Sequence, residues 1–157
     1  MSNQFTGMFE QALEFAIKKH KGQHRKNTNM PYFWHPVSVA ENIEEVKKSK
    51  NLELLMTAAI LHDTVEDCPR VTIQEIAKKF GYYVAALVEE LTSDEKEIKK
   101  IGKTAYLKKK MEKMTSYGLV IKLSDRRHNI EDMQSMSKQF QKNYTKETLA
   151  ILDHLES

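Results

Sequence analysis

The dipeptide His62-Asp63 closes a dense apolar run, residues 52–61, and this is the point in the sequence where chemistry is easiest to place. A carboxylate at the end of a buried segment is costly unless it is ion-paired, hydrogen-bonded or bound to a metal. Two further residues can complete a site: His35, in the segment Pro31-Tyr32-Phe33-Trp34-His35-Pro36, and Asp125, at the end of residues 119–124. Two imidazoles and two carboxylates form a nitrogen and oxygen donor set without sulfur. Such a set suits manganese, iron or magnesium better than zinc, and leaves positions open for water and substrate. Taken singly, each of these residues has an ordinary structural role open to it; the set of four is what points to a divalent metal.

Glu66 and Asp67 follow the pair within about one helical turn, so either can take a proton from an activated water or orient it, with Glu66 the first choice as base. Arg25, Lys26, Lys122 and Arg126 lie close in sequence to three of the four candidate ligands, and their charges suit a polyphosphate. Tyr32 serves equally well as a core aromatic or a substrate contact. His20 reads as a packing residue, and His24, His128 and His154 have no evident ligand role. Lys108-Lys109-Lys110 reads as a solvated helix face that could lean toward phosphates. Cys68 has no base beside it in sequence to make it a nucleophile.

The elements that position these residues are helices. Phe5, Phe9, Ala12, Leu13, Ala16 and Ile17 recur on one helical face, with Gly22 as a stop. A polar loop over residues 21–30 leads to Pro31, and Pro36 suits the first turn of a helix running through Val37, Val39, Ala40 and Ile43. Residues 52–61 are too long a run for a typical strand and read as a buried helix. Thr72 and Glu75 form a capping box for a short helix that Phe80-Gly81 ends. Val84, Leu87, Val88 and Leu91 mark another helix. Residues 93–113 carry only a weak stripe. Residues 119–125 could by themselves be strand or helix, and Leu149, Leu152 and Leu155 mark a last helix packing back on the domain. The class expected is all-α, a single compact bundle of about eight to ten helices over residues 1–157.

At 157 residues and 40% hydrophobic the chain can bury one core. No apolar run reaches the roughly 20 residues of a membrane span, and no basic-then-apolar leader opens the sequence. With a single cysteine, the cytoplasm is the favoured compartment. A net charge of +3, with cations grouped near the candidate site and not along an aromatic-interleaved groove, argues against nucleic acid as partner. A small-molecule nucleotide is expected in its place.

Several motifs together carry a resemblance. Gln23-His24-Arg25-Lys26, Pro31-Tyr32-x-x-His35-Pro36, His62-Asp63-Thr64-Val65-Glu66-Asp67, Phe80-Gly81 and Lys122-Leu123-Ser124-Asp125-Arg126-x-x-Asn129 resemble the HD phosphohydrolase superfamily. Within it they are similar to the hydrolase domain of the RelA/SpoT alarmone enzymes and the small stand-alone alarmone hydrolases. The resemblance covers roughly residues 8–152. It implies an HD-domain helical bundle in which His35, His62, Asp63 and Asp125 hold a divalent metal, manganese by preference, and Glu66 and Asp67 are catalytic. It implies that Arg25 and Lys26 lie beside the nucleotide base and that Asn129 contacts sugar or phosphate. Tyr32, Lys122 and Arg126 complete the expected substrate contacts. The activity implied is hydrolysis of guanosine 3′,5′-bis(diphosphate)-type alarmones to the guanosine 5′-phosphate and pyrophosphate by a metal-activated water. The alternatives are an HD phosphatase on another nucleotide (an adenine alarmone, NADPH or a nucleoside monophosphate) and a non-catalytic nucleotide sensor. Arg127 stands where the family usually has an apolar residue, residues 93–117 match poorly, and the length leaves no room for the family's synthetase domain.

Overall fold

Eight of the ten residues of the helix Leu52–Leu61 are buried, which is why its sequence is apolar all round and shows no one-sided stripe. The computed structural model describes residues 7–157, so Phe5 of the expected first stripe lies outside the described residues. In order the helices are α1 (Met8–Lys19), α2 (Trp34–Val46), α3 (Leu52–Leu61), α4 (Thr64–Asp67), α5 (Ile73–Phe80), α6 (Tyr82–Leu91), α7 (Glu95–Ile101), α8 (Lys103–Met111), α9 (Ser116–Glu131) and α10 (Lys138–Glu156), with a 3-10 turn at Met133–Ser135. Among the described residues there is no strand, only one bridge pairing His24 with Pro31, so the all-α expectation holds.

Helix α3 is the axis of the bundle: α1, α2, α6 and α9 all pack against it. One part of the core joins α1, the end of α3, α5 and α6 through Phe15, Ile60, Leu61, Ile76, Phe80 and Val88. A second joins α2, α3, α6 and α9 through Val39, Ile43, Leu55, Leu87 and Ile121. A third, smaller cluster of Tyr106, Leu107, Met111 and Ile151 holds α8 to α10. Because α3 is enclosed on every side, the residues at its C-terminal end, His62 and Asp63, enter the next segment already inside the protein.

The caps follow the sequence at Thr72, whose hydroxyl accepts the Glu75 N–H at 3.1 Å, and at Gly81, whose φ of 92° ends α5. Residues 119–125, ambiguous in isolation, are helical: Thr115 caps α9 by accepting the Gly118 N–H at 3.1 Å. The weak stretch 93–113 becomes two helices. Asp94 caps α7 by accepting the N–H groups of Lys96 and Glu97, and Gly102 at φ 88° turns the chain into α8. Helix α10 also departs from expectation. Its inward residues are Thr148 and Ile151, with Leu155 packed on the same core, while Leu149 is 57% exposed and Leu152 37% exposed. The expected stripe was therefore rotated, because a polar Thr148 occupies one of the buried positions.

Candidate active site

His62 caps the C-terminus of α3, and its Nδ1 lies 2.6 Å from the Ala59 carbonyl. A carbonyl only accepts, so Nδ1 carries a proton, and in the neutral ring the lone pair is left on Nε2, on the other side. Asp63 comes next, and its Oδ2 is 2.9 Å from His62 Nε2 and 3.7 Å from His35 Nε2. His35 reaches in from the first turn of α2, after Tyr32 pairs back to Gln23 through its N–H and fixes the loop exit. Donor atoms of His35, His62 and Asp63 lie within 4.8 Å of one another. Asp125 joins them from α9: its Oδ1 is 2.9 Å from His35 Nε2 and 3.6 Å from His62 Nε2, while Lys122 holds its other oxygen at 3.2 Å. The four residues singled out in the sequence thus converge from three helical segments.

These residues fit a divalent cation. His62 Nε2 is fully buried and makes no aligned hydrogen bond, although carboxylate oxygens lie close to it. An imidazole lone pair aimed at anionic oxygens in a closed site is the arrangement of a ligand cage. The electrostatics agree. Burial opposes charge on His62, yet the adjoining Asp63 and Asp125 outweigh it and hold the ring's pKa well above its usual value. Burial likewise opposes ionisation of Asp63, but His62 and His35 pull its carboxyl below the carboxylate range. For Asp125, Lys122 leads the groups that overcome burial and lower it well below that range. The pocket is built around positive charge, and two imidazoles, two carboxylates and no sulfur favour a hard or borderline ion.

A cleft of about 330 Å³ opens over the cluster. Glu66 and Asp67 lie on its wall, both accessible at their tips. Glu66 Oε1 accepts the Ser93 N–H at 2.6 Å, which anchors that side chain. Asp67 is pushed up to about 6, by burial of its carboxyl first and then by the charges of Asp63 and Glu66. Tyr32 donates its hydroxyl to Asp63 Oδ2 at 2.7 Å, and its own pKa is raised by burial and by Asp63. Arg25 donates to Asp132 and Asn129, each at 3.0 Å, and Asn129 donates to Asp125 Oδ1 at 3.3 Å. Arg25, Lys26, Tyr32, Lys122 and Asn129 all line the cleft.

Arg126 does not. It is 3% exposed and turned away from the cleft, with Nη2 2.9 Å from Glu147 Oε1 and 2.8 Å from Thr148 Oγ1, and with its guanidinium 4.2 Å from the Tyr144 ring centroid. The expected substrate contact is thereby corrected to a buried link between α9 and α10, because one residue along a helix rotates the side chain by about 100° from Asp125. Arg127 is half-exposed and paired with Glu131 at 2.8 Å, so it adds no charge to the cleft. Of the Lys108-Lys109-Lys110 run, Lys109 pairs with Glu97 and Lys110 donates to the Thr92 carbonyl. The cation that α8 does bring to the cleft is Lys103, which no motif or spacing singles out.

His128 was also missed. Its Nδ1 is 2.7 Å from His35 Nδ1, with the ring centroids 5.0 Å apart and the ring planes 29° from parallel, a pairing across 93 residues that no local pattern could reveal. Burial first, then His35 and Arg25, keep its pKa below the usual value. Met133, Met136, Phe140 and Tyr144 give the cleft an apolar wall, again from the segment after α9. His20 is buried beside Tyr32, with Nδ1 2.9 Å from Gln23 Oε1, as a packing residue.

The family profile for the HD domain matches residues 12–156. The chain belongs to the HD-domain family. Among curated relatives, the human guanosine-3′,5′-bis(diphosphate) 3′-pyrophosphohydrolase MESH1 is 34% identical over 124 residues, 78% of this chain and 68% of that protein. The guanosine-3′,5′-bis(diphosphate) 3′-pyrophosphohydrolase of Aquifex aeolicus is 34% identical over 151 residues, 90% of this chain. The bifunctional (p)ppGpp synthase/hydrolase SpoT of Escherichia coli is 36% identical over 150 residues, 92% of this chain. The chain spans 20% of the Aquifex protein and 21% of SpoT. The solved structure of a metazoan SpoT orthologue, described as hydrolysing ppGpp and acting in starvation responses, superposes with a TM-score of 0.83 at 28% identity, over 96% of this chain and 86% of that one. The family resemblance read from the motifs is therefore correct, and the HD helical fold is shared.

Proposed function

We propose that this HD-domain protein is a metal-dependent pyrophosphohydrolase that removes the 3′-diphosphate of guanosine 3′,5′-bis(diphosphate)-type alarmones. The observation carrying this reading is that His35, Asp63 and Asp125, with His62 buried beside Asp63, share one cleft with the Glu66-Asp67 pair and the cations Arg25, Lys26 and Lys103. Cations suit a substrate with two diphosphate arms, and the relatives' names specify that substrate and bond. Residues 1–157 act as one hydrolase domain in this reading, and manganese is the preferred ion for the sulfur-free donor set.

A divalent cation, when bound, supplies Lewis-acid charge and lowers the pKa of a water. The chain's own residues do the rest. Glu66, anchored by the Ser93 N–H, takes the proton of the attacking water. Asp67, beside Glu66 on the cleft wall, is placed to hold or release a proton and can serve the departing pyrophosphate. Arg25 and Lys26 bind the nucleotide end, Lys122 balances Asp125, and Asn129 reaches between Asp125 and the substrate's sugar or phosphate.

Purified protein incubated with the guanosine alarmone and Mn2+ is expected to release pyrophosphate and the guanosine 5′-phosphate. Asp63→Ala should abolish this. Pyrophosphate release unchanged in Asp63→Ala, or an intact wild-type protein that hydrolyses other nucleotides in a panel but not this one, would overturn the reading.

A further inference from the structure

His35 and His128 approach nitrogen to nitrogen, Nδ1 to Nδ1 at 2.7 Å. One of the two must donate and the other accept, because two lone pairs or two protons at that distance repel. The other nitrogen of His35, Nε2, faces the carboxylates of Asp125 at 2.9 Å and Asp63 at 3.7 Å. If Nε2 is to ligate a cation it must give up its proton, and the neutral ring then carries its hydrogen on Nδ1. Nδ1–H needs an acceptor in a site where His35 is 2% exposed. Metal-ligating histidines ordinarily find this acceptor in a carbonyl or carboxylate, as His62 does in the Ala59 carbonyl at 2.6 Å. For His35 the group in that position is the His128 imidazole.

We infer that His128 is a positioning residue for the metal centre: its Nδ1 accepts the His35 Nδ1–H and so holds His35 in the tautomer that turns the Nε2 lone pair toward the cation. The inference rests on the reading of His35 as a ligand and deepens it. Helix α9 supplies both halves of the arrangement, Asp125 against Nε2 and His128 one turn later against Nδ1, so His35 is gripped at both nitrogens by one helix. Without an acceptor at Nδ1, the favourable neutral form is the opposite one, with Nε2–H donated to Asp125, and a cation must displace that proton before it binds. His128 itself then carries its proton on Nε2.

Asparagine can set an acceptor oxygen near the position of a histidine Nδ1, whereas leucine has nearly the shape of asparagine and no acceptor. His128→Leu is therefore expected to weaken Mn2+ binding, measured by calorimetry on protein stripped with chelator, by about 10- to 100-fold, while His128→Asn stays close to wild type. In Zn2+-loaded, nitrogen-15-labelled wild-type protein, Zn2+ serving as a diamagnetic probe, the His35 Nδ1 proton should appear strongly downfield, with a scalar coupling to the His128 Nδ1 across the hydrogen bond. A merely structural role for His128 would produce neither that coupling nor rescue by asparagine. Wild-type protein that binds divalent cations with the same affinity as His128→Leu, or that shows a His35 Nδ1 proton without the coupling, overturns the role of His128 and leaves the metal site standing. Wild-type protein that binds no divalent cation overturns the metal site and the role of His128 together.

Discussion

The Tyr32 hydroxyl donates to Asp63 Oδ2 at 2.7 Å, and the same ring packs 5.0 Å from His20 and 5.8 Å from His35. The loop preceding α2 thus steers a carboxylate that belongs to the end of α3. Tyr32→Phe keeps the ring and deletes the donor. The expected result is a loss of about 1.5–3 kcal/mol in urea unfolding of the metal-free protein, the usual worth of a hydrogen bond to a charged acceptor. Mn2+ affinity should fall by about tenfold as Asp63 loses its orientation. Equal affinity in Tyr32→Phe and wild type would mean that the hydroxyl does not set the carboxylate's direction.

Arg126 is expected to matter for stability first. Its guanidinium bridges Glu147 at 2.9 Å and Thr148 at 2.8 Å, and Glu147 also accepts from Thr104 at 3.2 Å, so one buried network ties α9, α10 and the start of α8. Arg126→Ala leaves the Glu147 carboxylate, 15% exposed, without its cation, a change that costs about 3–5 kcal/mol for a buried pair. Urea midpoints of Arg126→Ala and Arg126→Lys measure it. Variants of wild-type stability with a raised KM would return Arg126 to the substrate.

These two residues mark how far the sequence could be read. Helix α3 was legible because its surroundings demand apolar residues on every face, and the four candidate ligands were legible because their types are costly to bury for no reason. Arg126 was misread because the sequence gives a residue's neighbours along the helix but not which way each faces. Asp125 and Asn129 share a face toward the cleft, and the residue between them that is adjacent to Asp125 points at α10. His128 and Lys103 were invisible for a different reason: their partners come from α2 and from the cleft wall, far away in the chain. Residues 93–113 show a weak pattern because α7 has no fully buried residue, only Ile98 packed in part against the core that joins α8 to α10, while Asp94 and Gly102 fix its ends.

Asp67 supplies a pH signature. Its folded pKa is raised to about 6 from the ordinary 3.8, by burial and by the charges of Asp63 and Glu66. Between those two values the folded protein holds a proton that the unfolded chain has lost, so stability falls as pH rises through this window and the cost is fully present above 6. Asp67→Asn removes the charge. In chelator, to keep cations from altering the balance, Asp67→Asn should be more stable than wild type at pH 7.5 and converge with it by about pH 4. Solvent at the carboxyl's tip screens part of the effect, so about 1 kcal/mol is expected. Thermal unfolding across pH checks the sign: a Tm difference that grows on acidification would contradict it.

Lys103 is an exposed cation at the start of α8 that lines the same cleft as Arg25 and Lys26 of the loop before α2. A polyphosphate substrate has charge enough to engage all three, and an exposed lysine acts as a screened point charge whose loss weakens binding without touching the reacting atoms. Lys103→Ala should raise KM for the alarmone by roughly three- to tenfold with kcat nearly unchanged, the pattern of lost uniform binding. The effect should shrink as salt is added. Lys109→Ala is the control, since Lys109 pairs with Glu97 at 3.5 Å and does not line the cleft. If both variants raise KM equally, the general positive potential of α8 is responsible and Lys103 has no special place. If Lys103→Ala lowers kcat and leaves KM alone, its charge acts on the transition state, and the departing pyrophosphate then lies toward α8.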